Sequence, residues 1–181
     1  MTFTPTLLAG SYLIDPKPFA DERGWFARYY CKNEFSEIGH TAEWVQMNHS
    51  VSYKKGTVRG MHFQVQPYRE IKMVRCIAGS VFDVIIDIRN ESATFLQWFG
   101  VELSAANKRM IYIPEGFAHG FQCLSDDCEL LYHHSEFYKP GAEAGIRYDD
   151  PKIAIEWPLP ISVLSDRDAR HPLLNEDFKG I

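Results

Sequence analysis

Hydrophobic and polar residues alternate over short stretches of the chain, as is typical of β-strands. The clearest stretch is Val81 to Ile88, VFDVIIDI, which is rich in β-branched residues and follows Gly79 and Ser80. Its even-numbered positions are all apolar, and its odd-numbered positions include Asp83 and Asp87. Because successive side chains of a strand point to opposite faces, this pattern predicts one packed face and one polar face.

Similar short runs recur along the chain and are separated by turn signals such as NES, SAANK and PEG. The runs are IKMVRCIA, FLQWFGVEL, RMIYIP, GFQCL and ELLYHHSEFY. This spacing predicts an antiparallel sandwich or barrel. Helix signals are weak. They predict one short helix between Cys31 and Gly39, ended by the glycine, and one helical turn in SVLSDRDARHPLL.

Composition and charge restrict the class of protein. The 181 residues are 45% hydrophobic, and no linker or composition shift divides them, so we predict one domain over residues 1–181. The net charge of −5 argues against a nucleic-acid partner. The start of the chain lacks the features of a signal peptide or a membrane helix. Four cysteines without metal-binding spacing favour reduced thiols and a cytoplasmic location.

Two segments with histidines are candidates for chemistry. The segment IPEGFAHGF contains the pattern PxGxxH, which predicts a strand, a tight turn and then His119 on the next strand. Upstream, RGMHFQ places His62 before Lys72 and Gly79. This order is the outline of the two cupin motifs, which line the inside of a small β-barrel.

The first of these motifs is poorly suited to holding a metal. A metal-binding cupin normally has a second histidine where this chain has Gln64, and an acidic ligand near the position of Lys72. A lysine ammonium has no lone pair to donate. We therefore expect no metal and no other cofactor. A metal-dependent cupin enzyme with His62 and His119 as ligands remains an alternative.

The ordered set of motifs resembles the dTDP-4-dehydrorhamnose 3,5-epimerase family over nearly the whole chain. The matching stretches are DERGWF (21–26), VQMNHS (45–50), VRGMHFQ (58–64), GSVFDVIIDIR (79–89), LSAANKRMIYIPEGFAHGF (103–121), GIRYDDP (145–151), IEWP (155–158) and LSDRD (164–168). The resemblance implies an all-β cupin jelly roll, a double-stranded β-helix barrel with short peripheral helices, that works as a homodimer. It also implies an isomerase that inverts C3, C5 or both of a nucleotide-linked 4-keto-6-deoxyhexose in deoxysugar biosynthesis.

The chemistry beside a ketone gives a separate reason for these residue types. Epimerisation needs a base for the C–H next to the carbonyl, a positive group for the enolate oxygen, and an acid that returns a proton to the other face. These roles suit His62, Lys72 and Tyr132 respectively, and Lys72 is expected to lower the pKa of Tyr132.

Carboxylates complete the predicted catalytic group. The family pattern assigns the orientation of the base to Asp168, and Asp166 is the second choice. His119 and Asp83 resemble a second histidine–carboxylate pair.

A nucleoside diphosphate is negatively charged, so its site needs basic side chains that bind phosphate oxygens. The residues that match binding positions of the family are Arg23, Phe26, Gln46, Asn48, Arg59 and Tyr138. In the family, the segment with Arg23 and Phe26 reaches toward the active site of the partner subunit.

Some positions depart from the commonest family pattern: Arg28 replaces a glutamate, Met47 an aspartate, Glu70 a glutamine, and His133–His134 part of a Lys-Thr-Thr-like run. The period of a strand places His134, not His133, on the side of Tyr132. These departures leave open which nucleotide is bound and whether one centre or both are inverted. A single-centre epimerase and a non-catalytic sugar-nucleotide-binding cupin are therefore further alternatives.

Overall fold

The computed structural model describes residues 1–181, and its regular secondary structure is almost entirely antiparallel β-sheet. The strands are β1 (Thr2–Pro5), β2 (Tyr12–Asp15), β3 (Phe19–Asp21), β4 (Gly24–Phe26), β5 (Gln46–Ser52), β6 (Val58–Gln64), β7 (Lys72–Ala78), β8 (Ser80–Asp87), β9 (Trp98–Ser104), β10 (Met110–Ile113), β11 (Phe117–Cys123), β12 (Cys128–His134) and β13 (Glu143–Gly145). The two α-helices, α1 (Lys32–Phe35) and α2 (Asp166–Ala169), have one turn each.

Two sheets face each other and enclose the largest core. One has six strands in the order β1-β2-β10-β7-β12-β5, and the other has five in the order β13-β6-β11-β8-β9. Side chains from both sheets meet between them, among them Val74 and Leu130 from the first and Ile85, Leu103 and Phe121 from the second. The predicted all-β jelly roll is therefore confirmed. The hairpin β3–β4 lies outside both sheets.

The prediction of one packed and one polar face for Val81 to Ile88 is wrong. Strand β8 lies between β11 and β9, and both of its faces are buried. Val84 and Ile86 pack on the outside of the sheet, while Ile85 and Asp83 point between the sheets. Burial on both faces arises because the C-terminal part of the chain covers the outer one, which the local pattern does not reveal.

The two predicted helical segments are present, and both are short. Helix α1 continues as a 3-10 turn over Ser36–Ile38 and ends at Gly39, whose φ of 80° lies in the left-handed region that favours glycine. Phe35 of α1 is fully buried against the outer face of the six-stranded sheet, next to Met73 and Tyr112. No helix in the structure has the length and apolar character needed to cross a bilayer.

Candidate active site

A cavity of about 500 Å³ opens between the two sheets, and it contains most of the predicted catalytic residues. His62 on β6 and His119 on β11 lie on the five-stranded side. Lys72 on β7 and Tyr132 on β12 lie on the six-stranded side. Asp168 of α2, 106 residues after His62, also lines the cavity, so one space receives groups from both sheets and from a helix near the end of the chain.

His62 is held by Asp168. Its Nε2 lies 2.7 Å from Oδ1 of Asp168, whose Oδ2 accepts a hydrogen bond from the Gly60 backbone N–H at 3.2 Å. Gly60 has a φ of 135° and passes so close to Gly120 that a Cβ would lie 2.5 Å from the Gly120 Cα. At the other end, Ser165 caps α2 by accepting the N–H of Asp168 at 3.1 Å.

The electrostatics of this pair favour an ionised carboxylate. Burial raises the pKa of Asp168, but the hydrogen bond and charge of His62, with the Gly60 N–H, outweigh it and hold the pKa below its usual range. With Nε2–H donating to the carboxylate, Nδ1 of His62 keeps its lone pair. The side chain of His62 is 35% exposed, so this nitrogen is accessible to a ligand. Asp166, the second choice for this partner, is exposed and pairs with Arg170.

His119 and Asp83 form a second pair at 2.9 Å, from Nε2 to Oδ2. His119 is directly opposite His62 in the register of β6 and β11, but its side chain is only 6% exposed. Asp83 is fully buried behind His119 and does not reach the cavity surface. Burial raises the pKa of Asp83 despite the nearby His119 and Lys72.

Tyr132 does not have the lowered pKa that the sequence suggested. Desolvation raises the pKa of Tyr132, and the charge of Asp83 raises it further, against a hydrogen bond with Ser50 at 3.2 Å and the charge of Arg59. Lys72 is not among the groups that shift it. The nearest carboxylate to Lys72 is that of Glu70, whose Oε1 lies 3.0 Å from the Lys72 Nζ. The hydroxyl of Tyr132 therefore keeps its proton at neutral pH.

The predicted binding residues divide into two groups. Asn48 and Arg59 line the main cavity, whereas Gln46 and Tyr138 line a smaller adjoining cavity of about 160 Å³. Arg23 and Phe26 are not brought to either cavity: they lie on the β3–β4 hairpin and line a separate surface depression.

Three lining residues were not assigned to the site by the sequence, namely Glu70, His134 and Arg167, and His171 lies beside His62. Arg167 immediately precedes Asp168 and adds a third basic side chain to Lys72 and Arg59. The ring of His171 lies 5.8 Å from that of His62. The alternation of side chains along β12 places His134 on the same face as Tyr132. The two rings stack, with their centroids 6.1 Å apart.

Of the other positions that depart from the family pattern, Met47 and Arg28 lie away from the cavity. Met47 is 67% exposed on the outer face of the sheet, and Arg28 pairs with Glu34 at 2.9 Å.

The residue types around the two histidines bear on the metal alternative. The side-chain oxygen of Gln64 accepts the Lys139 backbone N–H at 2.9 Å, and its amide donates to two backbone carbonyls. Gln64 is thus fully engaged in structural hydrogen bonds. The cluster whose spacing could suit an ion is His62, Asp168 and His171, which does not include His119.

Comparisons with known proteins agree with this geometry. Residues 5–176 match the family model described as dTDP-4-dehydrorhamnose 3,5-epimerase. The chain belongs to the dTDP-4-dehydrorhamnose 3,5-epimerase family. A relative of that name from Shigella flexneri is 48% identical over 169 residues, which cover 93% of each chain.

Solved structures of such enzymes have the same fold. The dTDP-4-dehydrorhamnose 3,5-epimerase from Bacillus anthracis, with TDP and PPi bound, has a TM-score of 0.93 and 39% identity and covers 96% of this chain and 99% of its own. The dTDP-6-deoxy-D-glucose-3,5-epimerase from Legionella pneumophila, in complex with dTDP-4-keto-L-rhamnose, has a TM-score of 0.90 and 43% identity, covering 95% and 92%. The protein is accordingly an isomerase with a cupin jelly roll, an epimerase of nucleotide-linked 4-keto-6-deoxyhexoses.

Proposed function

We propose that this chain inverts both C3 and C5 of dTDP-4-dehydro-6-deoxyglucose, with His62 as the base and Tyr132 as the acid. The observation that carries the proposal is that these two groups belong to opposite sheets and line the same cavity. A sugar ring between the sheets has one face toward each group. Inversion of a carbon requires this arrangement, because the proton must leave one face and return to the other.

The first half of the reaction forms an enolate. Nδ1 of His62 takes the proton from the carbon beside the ketone, and the C–H electron pair moves toward the C4 oxygen. The ionised Asp168 stabilises the imidazolium that results. The ammonium of Lys72, whose side chain is 11% exposed in the same cavity, stabilises the negative charge on the C4 oxygen.

The second half of the reaction returns a proton. Tyr132 retains its proton because its pKa is raised, and a phenol is a much stronger acid than a C–H beside a ketone. It protonates the carbon from the six-stranded side as the enolate collapses to the ketone. His62 then releases its proton to water and Tyr132 regains one, so each turnover exchanges a carbon-bound hydrogen with solvent.

The charge of the cavity supports a nucleoside diphosphate as the carrier. The net charge of the chain is −5, yet Arg59 and Arg167 join Lys72 at the cavity. Arginines bind phosphate oxygens with two parallel hydrogen bonds. The TDP and dTDP-4-keto-L-rhamnose bound to the two relatives support thymidine as the nucleoside.

Solvent deuterium incorporation tests this function. Incubation of the protein with dTDP-4-dehydro-6-deoxyglucose in D₂O is expected to label C3 and C5, with NMR identifying the inverted product. Label at one carbon alone would establish the single-centre alternative, and a pure binding protein would give no label. A second sample is treated with a chelator, and its metal content is measured by elemental analysis. The exchange rate of this sample is expected to be the same as that of the untreated protein. Loss of exchange that returns with added metal would support the metal-dependent alternative.

A homodimer is part of the proposal, and exposed apolar side chains support it. Phe19 and Phe26 on the β3–β4 hairpin are 76% and 74% exposed, and Met47 is 67% exposed on β5, which is an edge strand. An exposed edge and apolar side chains are features that a partner chain covers. Arg23 lies on the same hairpin, away from its own cavity, so we place it in the partner's site.

Subunit mixing tests the dimer and the placement of Arg23 together. R23A and H62A are each expected to be nearly inactive. After the two are mixed and refolded, half of the dimers contain one intact site, so about a quarter of wild-type activity is expected to return. No recovery in a mixture that sedimentation shows to be dimeric would place Arg23 outside the partner's site.

We further propose that the 181 residues form one domain and that the protein is cytoplasmic. The first and last segments both pack against the same jelly roll, with Phe3 and Phe178 in contact with cores on its two outer faces. All four cysteines are unpaired, which supports a reducing compartment.

A further inference from the structure

A line of hydrogen bonds joins the backbone of Tyr138 to His134 through two side chains of β5. The Tyr138 N–H lies 3.0 Å from Oε1 of Gln46, and Nε2 of Gln46 lies 3.2 Å from Oδ1 of Asn48. Nδ2 of Asn48 lies 3.3 Å from Nε2 of His134. These contacts connect three residues predicted to bind the substrate with a histidine that the sequence left unassigned.

The direction of this line follows from its first donor. A backbone N–H can only donate, so Gln46 must present its oxygen to Tyr138 and its NH₂ to Asn48. Asn48 must then accept with its oxygen and donate with its NH₂ to Nε2 of His134. That nitrogen therefore carries the lone pair, and the ring proton is on Nδ1.

From His134 the line continues to the predicted enolate-stabilising lysine. Nδ1 of His134 lies 2.6 Å from Oε2 of Glu70, and Oε1 of Glu70 lies 3.0 Å from Nζ of Lys72. The three side chains are between 9% and 11% exposed. Burial raises the pKa of Glu70, but the His134 hydrogen bond and the Lys72 charge outweigh it and hold the pKa below its usual range.

Glu70 is the only carboxylate within 4.0 Å of the Lys72 ammonium. A lysine has a flexible four-carbon stem, so a single fixed partner determines where its charge lies. His134 contacts Glu70 and Asn48 contacts His134, so the position of the carboxylate beside Lys72 depends on the substrate-binding end of the line. The ring of His134 also stacks on the ring of Tyr132, and this contact further restricts the position of His134.

We propose that Glu70 and His134 are positioning residues that fix the Lys72 ammonium and couple its placement to Gln46 and Asn48. The proposal rests on the proposed role of Lys72 in stabilising the enolate. It assigns a function to Glu70 and His134, two of the residues that depart from the family pattern. Because these two residues contact each other, the proposal also explains why both departures occur in the same chain.

Replacing Glu70 by glutamine removes the charge and exchanges one acceptor oxygen for a donor NH₂ group. The new amide cannot accept from both Lys72 and the Nδ1–H of His134, so one of the two contacts is lost. E70Q is expected to lower kcat about tenfold, with KM within about twofold, since the contact to the enolate exists mainly in the transition state.

The matched control is E129Q. It removes the charge from the 2.9 Å His49–Glu129 pair, which joins β5 and β12 on the outer face and does not line the cavity. Its kcat is expected to remain unchanged.

A double variant separates positioning from simple damage. E70Q/H134T removes both partners, so no mismatched donor pair remains between them. If the two substitutions acted independently, the kcat of the double variant relative to wild type would equal the product of the relative kcat values of E70Q and H134T. The measured value is expected to exceed this product by about fivefold or more. Independent effects of the two substitutions, or a wild-type kcat in E70Q, would overturn the proposal.

The tautomer of His134 tests the line in the ligand-free protein, whether or not the substrate is known. Long-range ¹H–¹⁵N NMR of histidine-labelled wild-type protein is expected to show the proton of His134 on Nδ1. A proton on Nε2 overturns the proposal. This readout also distinguishes the failures: an Nδ1 proton in a protein that exchanges no substrate hydrogen refutes the epimerase assignment and, with it, the role given to Lys72.

Discussion

Two histidine–carboxylate pairs lie at the same cavity, and their differences indicate which pair takes part in the reaction and which supports the structure of the site. His62–Asp168 and His119–Asp83 have similar hydrogen bonds, 2.7 Å and 2.9 Å, and the two histidines are opposite each other on adjacent strands. The side chain of His62 is 35% exposed, whereas that of His119 is 6% exposed. The first pair therefore presents much the more exposed imidazole to a ligand.

The carboxylates differ more than the histidines. Both oxygens of Asp168 have partners, and its pKa is lowered because the His62 and Gly60 contacts outweigh burial. Oδ1 of Asp83 has no hydrogen-bond partner, and burial raises its pKa. A carboxylate that stabilises a forming imidazolium must be ionised, so the environment of Asp168 suits catalysis and that of Asp83 does not.

The largest expected effect is that of H62A. Without this imidazole the five-stranded side has no well-exposed base, since the side chain of His119 is only 6% exposed, so exchange at both C3 and C5 is expected to fall about 10³-fold. Deuterium incorporation followed by NMR measures it. H119A, in contrast, is expected to retain measurable exchange. Substantial exchange in H62A would show that the base has been misassigned.

Asparagine substitutions sharpen the comparison between the carboxylates. In D168N the Gly60 N–H requires the amide oxygen, so the NH₂ faces Nε2 of His62 and moves the ring proton to Nδ1. The base nitrogen is then blocked, and kcat is expected to fall about 10²–10⁴-fold.

In D83N the oxygen can still accept from His119, and the NH₂ can occupy the unpartnered position of Oδ1. The expected loss of kcat in D83N is less than about tenfold. Steady-state kinetics measures the kcat of D168N and D83N, and circular dichroism checks that both variants are folded. Equal losses would remove the distinction between the pairs.

Y132F tests the group that faces both pairs from the other sheet. The variant keeps the ring that packs 6.2 Å from His119 but lacks the proton that completes inversion. Inverted product is expected to fall about 10²-fold, while hydrogen removal by His62 falls much less. Comparing the wash-out of label from the substrate with product formation separates the two steps. An equal loss of both would exclude Tyr132 as the acid.

The sequence predicted the fold and placed His62 and His119 in one barrel, and the structure has them on adjacent strands, because motif order along a jelly roll determines which strands are neighbours. It could not predict the burial of Asp83, since period two gives the face of a strand but not what covers that face. The same pattern, VFDVIIDI, is compatible with a solvated polar face and with a barrel interior.

The contact between Glu70 and His134 was beyond the sequence for a different reason. The two residues are 64 positions apart, and they meet because the register of β7 and β12 pairs His134 with Lys72. Strand β5 was also missed. Its side toward the cavity is polar, with Gln46, Asn48 and Ser50, so it lacks the apolar alternation that marks a strand.

The smallest expected effect is a difference in how the two carboxylates link stability to pH. Stability rises with pH where the unfolded state binds more protons than the folded state. Asp168, with its lowered pKa, contributes stability that is present above about pH 4 and is lost as the pH falls through its folded value. Asp83, with its raised pKa, contributes stability that is present below about pH 4 and is lost as the pH rises through its folded value. The stability of wild type relative to D168N should therefore rise with pH below about pH 4, and relative to D83N it should fall with rising pH above about pH 4. Urea unfolding of the three proteins across this range measures both slopes, and slopes of the same sign would contradict the assigned environments.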